Sequence, residues 1–399
     1  MKKKKTRFRF LGKLIDEKTE ISVVVDRGVV VDLVKKDKPN RSGEEETIVF
    51  APLMLDAQVN GGFGVSIQDE NLDEERLVYL SRKFFSLGVA KWIPTVVTAP
   101  SEKIRVICEK ISSAIISNSE VSKHIPGIHL EGPWISPVDG PRGAHPKEYV
   151  KRPSLEDWHK YKKASRGKII YVTLAPEVDK NLTFSKHLLS EGVILSIGHH
   201  QAGIDILEKA IEWGINMFTH IGNGIANLIH RHENPIWFAL GNDKVSFSLI
   251  ADGFHLPKYL MKTIAKAKRE ENVFLVSDST QFLGMKPGIY KEFENEVELL
   301  PSGKLCLKGT PYLAGSASSL LDCFNVWYNI SEWSLRSCAK SCSIVPTKLL
   351  GVKFVPYRLR LGYFANFVVL NKRLKNGVPT FTPMAVFYEG GCNVLEDAT

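Results

Sequence analysis

The sequence contains no apolar run that approaches the roughly 18 residues needed to cross a lipid bilayer. Its basic start, MKKKKTRFRF, is not followed by the roughly 7–15-residue apolar stretch of a secretory signal. Cysteine is scarce, with 6 residues scattered from Cys108 to Cys392, and this scatter does not form a disulfide framework. We therefore expect a soluble protein of the cytoplasm rather than a membrane protein or a disulfide-rich secreted one.

The positive charge is also distributed unfavourably for binding nucleic acid. The formal net charge is +9, but six basic residues lie within the first nine positions. A nucleic-acid-binding protein is expected to carry a basic stripe on its folded body. A charged chain end is more often simply solvated. We therefore expect neither a nucleic acid nor a membrane as a partner.

The middle of the chain contains a repeated alternation of apolar runs and helical patterns. The β-branched apolar runs cover 48–59, 89–98, 125–130, 168–175, 193–198, 215–219, 245–251 and 272–277. Helical patterns between them include 72–88, 203–214 and 257–268. This alternation is typical of a parallel sheet covered on both faces. Eight such strands predict an α/β protein of the (β/α)₈ TIM-type barrel class.

The two ends of the chain do not fit a barrel. Residues 6–50 and 363–397 contain strand-like segments separated by glycine and charged turns. Because chain termini often lie near each other at a domain surface, we expect a small β-sandwich domain built from both termini. The predicted boundaries assign 1–50 and 358–399 to this domain and 51–357 to the barrel.

Polar or ionisable side chains follow six of the apolar runs, where the active site of a barrel is found. These residues are Gln58, Asn60, Glu131, His199, His220, His255 and Asp278. Each histidine alone would be an ordinary hydrogen-bonded or surface residue. Their joint position at strand ends favours a functional site.

The residue types indicate metal-assisted hydrolysis. One carboxylate and two imidazoles offer three ligands to a divalent metal and leave a position for water. Such a metal lowers the pKa of water from 15.7 to about 7. A further carboxylate, Asp278, could take the proton of that water and deliver it to a leaving group. Hydrolysis of a polar carbonyl derivative is the predicted chemistry.

Longer motifs then make a family recognisable. The chain resembles the N-acetylglucosamine-6-phosphate deacetylases of the metal-dependent amidohydrolase superfamily, nearly from end to end. The motifs are LDAQVNGGFGV (55–65), HLEGPWIS (129–136), GAH (143–145), TLAPE (173–177), GHH (198–200), THIGN (219–223), HRHENP (230–235), IADGFH (250–255), LVSDS (275–279) and LAGS (313–316). HLEGP followed by GAH is highly specific. The resemblance implies the same barrel and terminal sandwich as the strand pattern.

The resemblance also implies the roles of individual residues. Glu131, His199 and His220 match the metal ligands, and Asp278 matches the catalytic acid and base. Zinc is the expected ion, with iron, cobalt and manganese as alternatives. The histidines His145, beside Ala144 in GAH, and His255 match residues that bind the N-acetyl group or the sugar.

Further matches concern the sugar phosphate. Arg231 matches the arginine that binds the 6-phosphate, which in the family comes from the neighbouring subunit of a homodimer. The planar guanidinium suits phosphate because it donates two charge-assisted hydrogen bonds. The other residues expected to bind the substrate are Ala144, Asn223, Gly224, Leu313, Ala314, Gly315 and Ser316.

The sequence departs from the superfamily pattern at several positions. Gln58-Val59-Asn60 stands where many members have His-x-His, which predicts one metal ion per subunit. The two amides could hydrogen-bond to the metal-bound water, but they are poor ligands beside imidazole. Asn223-Gly224-Ile225 replaces the usual Asn-Ala-Met, and His200 and Ser279 replace small residues. None of these changes removes a metal ligand or the acid.

The leading hypothesis is hydrolysis of N-acetyl-D-glucosamine 6-phosphate to D-glucosamine 6-phosphate and acetate, a step of amino-sugar catabolism. One alternative is another amidohydrolase reaction, either on a phosphorylated amide or of the kind that hydrolyses cyclic amides or deaminates. Arg231 and the GAH loop count against cyclic-amide hydrolysis and deamination, because those reactions need no phosphate clamp. The second alternative is a sugar-phosphate-binding homologue without catalytic activity. The four matched ligand and acid residues argue against that alternative.

Overall fold

The computed structural model describes residues 6–15, 20–36, 46–292, 295–310 and 312–395. The lysines at positions 2–5 of the basic tail lie outside the described residues. In chain order the strands are β1 (Arg7–Leu14), β2 (Glu20–Asp26), β3 (Val29–Lys36), β4 (Glu46–Ala51), β5 (Met54–Val59), β6 (Gly61–Gly62), β7 (Val65–Ser66), β8 (Val89–Val97), β9 (Ile128–Glu131), β10 (Ile169–Leu174), β11 (Ile194–Ile197), β12 (Met217–Phe218), β13 (Ser246–Leu249), β14 (Val273–Leu275), β15 (Gly288–Glu292), β16 (Asn295–Leu299), β17 (Leu305–Leu307), β18 (Phe367–Lys375), β19 (Val378–Tyr388) and β20 (Gly391–Val394).

Helices lie between most of the barrel strands. They are α1 (Glu74–Ser86), α2 (Ser101–Ser117), α3 (Ser119–His124), α4 (Leu155–Ala164), α5 (Thr183–Ser190), α6 (Ile204–Glu212), α7 (Pro235–Gly241), α8 (Lys258–Ala267), α9 (Leu320–Ser331), α10 (Leu335–Ser341) and α11 (Ile344–Leu349). Across the described ranges, no helix combines the length and the apolar character that a membrane span requires.

The eight-stranded sheet is a closed parallel barrel. Its strand order is β5, β8, β9, β10, β11, β12, β13 and β14. The ring closes where the residues after β14 return to β5, because Asp278 N donates to Gln58 O at 3.0 Å and Asn60 N donates to Ser279 O at 2.8 Å. The predicted (β/α)₈ barrel is therefore confirmed, and its closure brings Asp278 beside the end of the first strand.

Helix α1 shows how the local sequence forms the outer layer of the barrel. The Asp73 side chain caps the helix by accepting from Arg76 N. Leu77, Leu80 and Phe84 are buried at helical spacing, and the Phe84 ring lies 5.2 Å from the ring of Trp92 on β8. The apolar face of the helix thus packs on the barrel while its charged residues face outward.

The first predicted strand, 48–59, is wrong as one element. The structure divides it into β4, which joins the sheet of the termini, and β5, which begins the barrel. Pro52 lies between them and has no N–H for a ladder hydrogen bond, so the chain changes sheets there. The sequence does not show this change of sheet, because both strands are buried and together give one continuous apolar run.

The sheet of the termini has the order β20, β19, β18, β4, β1, β2 and β3. Strands β1 and β19 are three positions apart, about 14 Å in a flat sheet. Yet the rings of Phe10 and Phe387 lie only 6.0 Å apart. The sheet therefore folds over its own apolar face, which confirms the small β domain made from both termini. The boundaries at 51 and 358 stay a prediction.

The region after Asp278 contains an insertion that the sequence analysis did not predict. Strands β15–β17 form a separate antiparallel sheet. The chain then returns to the barrel at Ser316, which bridges to Ser279. The segment 313–316 is thereby held beside the end of the last barrel strand.

Candidate active site

Three side chains converge at the carboxyl end of the barrel. Glu131 is the last residue of β9, while His199 and His220 each follow a strand by two residues. The Glu131 Oε1 atom lies 3.3 Å from His199 Nε2 and 3.0 Å from His220 Nε2. The two Nε2 atoms are 3.1 Å apart. All three residues are buried, so this end of the barrel holds one compact group of ligand atoms.

Neighbouring groups orient these ligand atoms. His199 Nδ1 lies 3.0 Å from Pro141 O. Because a carbonyl oxygen only accepts, that nitrogen carries the proton and leaves the Nε2 lone pair free. Gln58 Nε2 donates to Glu131 Oε1 at 2.9 Å, so this amide holds the carboxylate in place.

The group fits a divalent metal ion. A tetrahedral ion with bonds of about 2.0–2.2 Å holds its ligand atoms roughly 3.3–3.6 Å apart, slightly farther than the 3.0–3.3 Å found here. Burial opposes ionisation of Glu131, but the adjacent imidazoles of His199 and His220 outweigh it and hold the pKa of this carboxyl well below its usual range. An ionised carboxylate and imidazole lone pairs that face one another form a candidate metal-binding group.

Asp278 lies at the same end of the barrel. Its Oδ1 accepts from Asn60 Nδ2 at 2.7 Å, and the residue reaches this position because the closing strands meet there. Burial, together with the negative charge of Glu131, raises the pKa of Asp278 to about 6. A carboxyl with a pKa near neutrality is suited to proton transfer.

The backbone is strained at three of these residues. His199, His220 and Asp278 have φ angles of 51°, 32° and 48°. This left-handed region is uncommon for side chains other than glycine, and strained residues cluster at functional sites. Because the backbone turns at these residues, each side chain points in a different direction from the one it would take if the strand continued.

The two predicted substrate histidines have different partners. His145 Nδ1 lies 2.9 Å from Thr98 Oγ1, and its Nε2 lies 3.3 Å from His199 Nε2. Burial and then the neighbouring His199 lower the pKa of His145 to about 3, which leaves this ring neutral. His255 instead places Nδ1 2.7 Å from a carboxylate oxygen of Asp252.

Glycines allow close packing around His199. A Cβ on Gly224 would lie 2.8 Å from His199 Nδ1, and one on Gly143 would lie 3.2 Å from its Cε1. Both glycines also have positive φ. The adjacent Asn223 donates from Nδ2 to His220 O at 3.2 Å. The predicted sugar-contact residues 223 and 224 therefore border both histidine ligands.

The remaining predicted contacts lie farther from the ligand group. Ala144 is exposed, and Arg231 is exposed on the loop after His220, where its Nε donates to His232. Ser316 is buried and its carbonyl accepts from Thr280 N, whereas the preceding residues of the 313–316 segment are partly buried. Within this one chain, the described contacts do not bring Arg231 to the ligand group.

Gln58 and Asn60, which the sequence predicted beside the metal-bound water, each donate to a site carboxylate in this structure. The departures at 200 and 279 have structural partners. His200 Nδ1 accepts from Ala202 N, while Ser279 Oγ donates to Gly61 O at 2.8 Å. Neither contact removes a ligand atom from the site.

A second histidine–carboxylate group lies on the outer surface of the barrel. His159, His187 and Glu191 offer ligand atoms near one another. The carboxylate oxygens of Glu191 already bind Lys162 at 2.9 Å and Trp158 Nε1 at 2.7 Å. The buried group at the barrel end is therefore the better metal site.

Sequence reasoning missed the residues that support the site. His129 is buried, lies 2.8 Å from Thr173 Oγ1 and stacks on Tyr171 at 3.9 Å. Thr98 and Asp252 contact the two predicted substrate histidines. His129 and Asp252 lie in the HLEGP and DGFH motifs, so these motifs could have identified both residues as part of the site.

A (β/α)₈ barrel with two histidines and a glutamate at its carboxyl end, and an aspartate after the last strand, defines a hydrolase of the amidohydrolase superfamily. No protein-family model matches the chain. The chain is 30% identical to N-acetylglucosamine-6-phosphate deacetylase of Rattus norvegicus over 336 residues, covering 82% of this chain and 80% of that protein. It therefore belongs to the N-acetylglucosamine-6-phosphate deacetylase family.

Two other similarities bear on fold and specificity. N-acetylgalactosamine-6-phosphate deacetylase of Escherichia coli O157:H7 is 27% identical over 333 residues, covering 83% of this chain and 86% of that protein. A crystal structure of N-acetyl-D-glucosamine-6-phosphate deacetylase from Mycobacterium smegmatis matches with a TM-score of 0.80 at 21% identity, covering 98% of this chain and 100% of that one. The structural match supports the shared fold.

Proposed function

We propose that this protein hydrolyses the acetamide of N-acetyl-D-glucosamine 6-phosphate to D-glucosamine 6-phosphate and acetate. The observation that carries the proposal is the convergence of Glu131, His199 and His220 within 3.3 Å, with Asp278 at the same barrel end. Membership of the deacetylase family supplies the substrate class.

The proposal includes one divalent metal ion per subunit, held by Glu131, His199 and His220. Zinc suits two imidazoles and one carboxylate best, and iron, cobalt and manganese are accepted by similar ligands. When bound, such an ion supplies a nucleophilic water at neutral pH and polarises the acetamide carbonyl. Gln58 assists by fixing the Glu131 carboxylate.

Asp278 carries the proton between the reactants. As water adds to the acetamide carbon, a C–O bond forms, the electron pair of the C=O π bond moves onto the carbonyl oxygen, and Asp278 accepts one proton from the water. The C–N bond then breaks as the C=O bond re-forms, and the same carboxyl returns the proton to the departing amine nitrogen. The acetic acid formed loses its remaining proton, which the amine takes up. Acetate and the amino sugar are the products. Asn60 holds the Asp278 carboxyl during both transfers through its amide N–H.

We also propose that Arg231 binds the 6-phosphate in the site of a neighbouring subunit of a homodimer. In one chain its guanidinium is exposed, as are the nearby apolar side chains of Leu228, Ile229 and Trp237. An apolar surface rimmed by polar residues is suited to association. Two further parts of the proposal concern domain boundaries and location. The terminal domain and the barrel meet at residues 51 and 358, and the protein is cytoplasmic.

A metal-dependent acetate-release assay tests the proposal. We expect acetate from the metal-loaded protein with N-acetylglucosamine 6-phosphate, much less with unphosphorylated N-acetylglucosamine, and restoration by metal after chelation. N-acetylgalactosamine 6-phosphate serves as a matched epimer because one relative is named for it. Release of ammonia rather than acetate would indicate another amidohydrolase reaction. Binding of the sugar phosphate without any product would indicate an inactive homologue.

A further inference from the structure

The loop after β13 closes on one carboxylate. Asp252 Oδ1 accepts from the backbone N–H groups of Phe254 and His255 at 2.8 and 2.9 Å. These two bonds turn the chain so that the His255 side chain comes back beside Asp252. The first oxygen of Asp252 therefore shapes the loop.

The second oxygen has a separate partner. Asp252 Oδ2 lies 2.7 Å from His255 Nδ1, and the two side chains are only 2% and 9% exposed. Burial opposes ionisation of Asp252, but the hydrogen bonds from the His255 side chain and from the backbone N–H groups of Phe254 and His255 lower the pKa of this carboxyl. An ionised carboxylate only accepts hydrogen bonds, so the proton between the two residues lies on Nδ1.

This contact fixes which nitrogen of His255 is available to substrate. With Nδ1 engaged, only Nε2 remains for a ligand. His255 follows β13 at the carboxyl end of the barrel, the end at which Glu131, His199 and His220 converge, so the ring belongs to the same end of the fold as the ligand group. The partner of His145 differs, because the Thr98 hydroxyl can donate or accept and does not fix a tautomer.

We propose that Asp252 is a positioning residue of the deacetylase site: its carboxylate keeps the His255 proton on Nδ1 and presents Nε2 to the bound N-acetyl sugar phosphate. This assignment rests on the proposed function for the identity of the substrate. The position of the proton does not depend on that identity and can be measured separately.

Asp252→Asn separates positioning from loop closure. The amide keeps one oxygen, which can still accept from the two backbone N–H groups. Its NH₂ group then faces His255 Nδ1 and can only donate, so the imidazole proton must move to Nε2. The opposite orientation of the amide is unfavourable, because its NH₂ group would face the N–H groups of Phe254 and His255, which are also donors. Asp252→Ala removes both functions, and Asp243→Asn makes the same chemical change at an exposed aspartate.

The experiment combines nitrogen NMR of histidine-labelled zinc-loaded protein with acetate-release kinetics. The signal of His255 is identified by its loss in His255→Gln. We expect a protonated Nδ1 in the original protein, a protonated Nε2 in Asp252→Asn, and a loss of kcat/KM of at least about tenfold, the scale seen when a carboxylate that orients a histidine is removed. Asp243→Asn should match the original protein in both measurements.

Two results would overturn the proposal. An unprotonated Nδ1 in the original protein would remove its basis. Normal kcat/KM in Asp252→Asn, with loss only in Asp252→Ala, would limit Asp252 to closing the loop. If the original protein releases no acetate while Nδ1 is protonated, the proposed function fails and the measured tautomer still stands.

Discussion

Replacing Asp278 by asparagine should change activity and stability in opposite directions. The amide preserves size but cannot accept the water proton, so we expect kcat to fall about 10²–10⁴-fold. That loss corresponds to about 3–5.5 kcal/mol of transition-state stabilisation. The hydrogen-bond partner is retained, because Asn60 Oδ1 is buried, has no hydrogen-bond partner among the described residues, and can accept from the introduced NH₂ group after its amide rotates.

The stability effect follows from the raised pKa. The pKa of Asp278 rises from 3.8 to about 6 because the carboxyl is buried. Folded protein therefore binds more protons than unfolded protein between these values, and the contribution of this carboxyl to stability decreases as pH rises through that window. At pH 7 its burial costs about 3 kcal/mol, at 1.36 kcal/mol per pKa unit.

Chelated protein should reveal this cost directly. Metal-free Asp278→Asn should exceed the original protein in unfolding free energy by up to about 3 kcal/mol at pH 7, and the difference should largely vanish near pH 4. Urea unfolding at both pH values measures the difference, with Asp243→Asn as the exposed control. In the active enzyme, kcat of the original protein should fall toward acid pH as the carboxyl gains a proton, and this acid limb should disappear in the variant.

Three outcomes would refute this reasoning. Near-normal kcat in Asp278→Asn would eliminate the acid–base role. Loss of metal together with activity would place Asp278 among the metal ligands. The raised pKa would be contradicted if the stability advantage of the variant over the original protein were smaller at pH 7 than at pH 4.

Three further predictions address the metal, the phosphate and the histidine packing. Elemental analysis should find one metal ion per chain that is lost in His199→Ala; two stoichiometric ions, or full metal in that variant, would defeat the single-metal site. Arg231→Ala should weaken binding of the phosphorylated substrate by about 1.5–3 kcal/mol and leave unphosphorylated N-acetylglucosamine nearly unaffected, whereas equal effects on both would exclude phosphate recognition. Gly224→Ala should lower metal affinity, because the added Cβ would lie 2.8 Å from His199 Nδ1. Gly167→Ala is the control: its φ is also positive but the space around it is open, so this change should lower only stability. Equal metal affinity in the two variants would refute the packing argument.

The barrel was predictable because each strand is buried on both faces and so appears as an apolar run. The same property caused the error at 48–59, since burial in two different sheets gives one continuous pattern. The insertion after Asp278 was missed for the converse reason. Its strands β15–β17 are short and partly exposed, so they lack a long apolar signal.

The positions of the site residues were predictable from the strand pattern, but their contacts were not. Strand ends indicated Glu131, His199 and His220, and the structure brings their ligand atoms within 3.3 Å. By contrast, Gln58 and Asn60 were predicted beside the metal-bound water. Their donation to Glu131 and Asp278 depends on side-chain directions that no periodicity specifies.

Backbone strain explains why strand ends alone do not describe the site. His199, His220 and Asp278 all turn into the left-handed region, at a cost of roughly 1–3 kcal/mol each. The turn before His199 is confined by close packing, since a Cβ on Gly198 would lie 2.6 Å from Thr173 Cγ2. The packed barrel therefore holds these residues in a conformation that an isolated loop would leave.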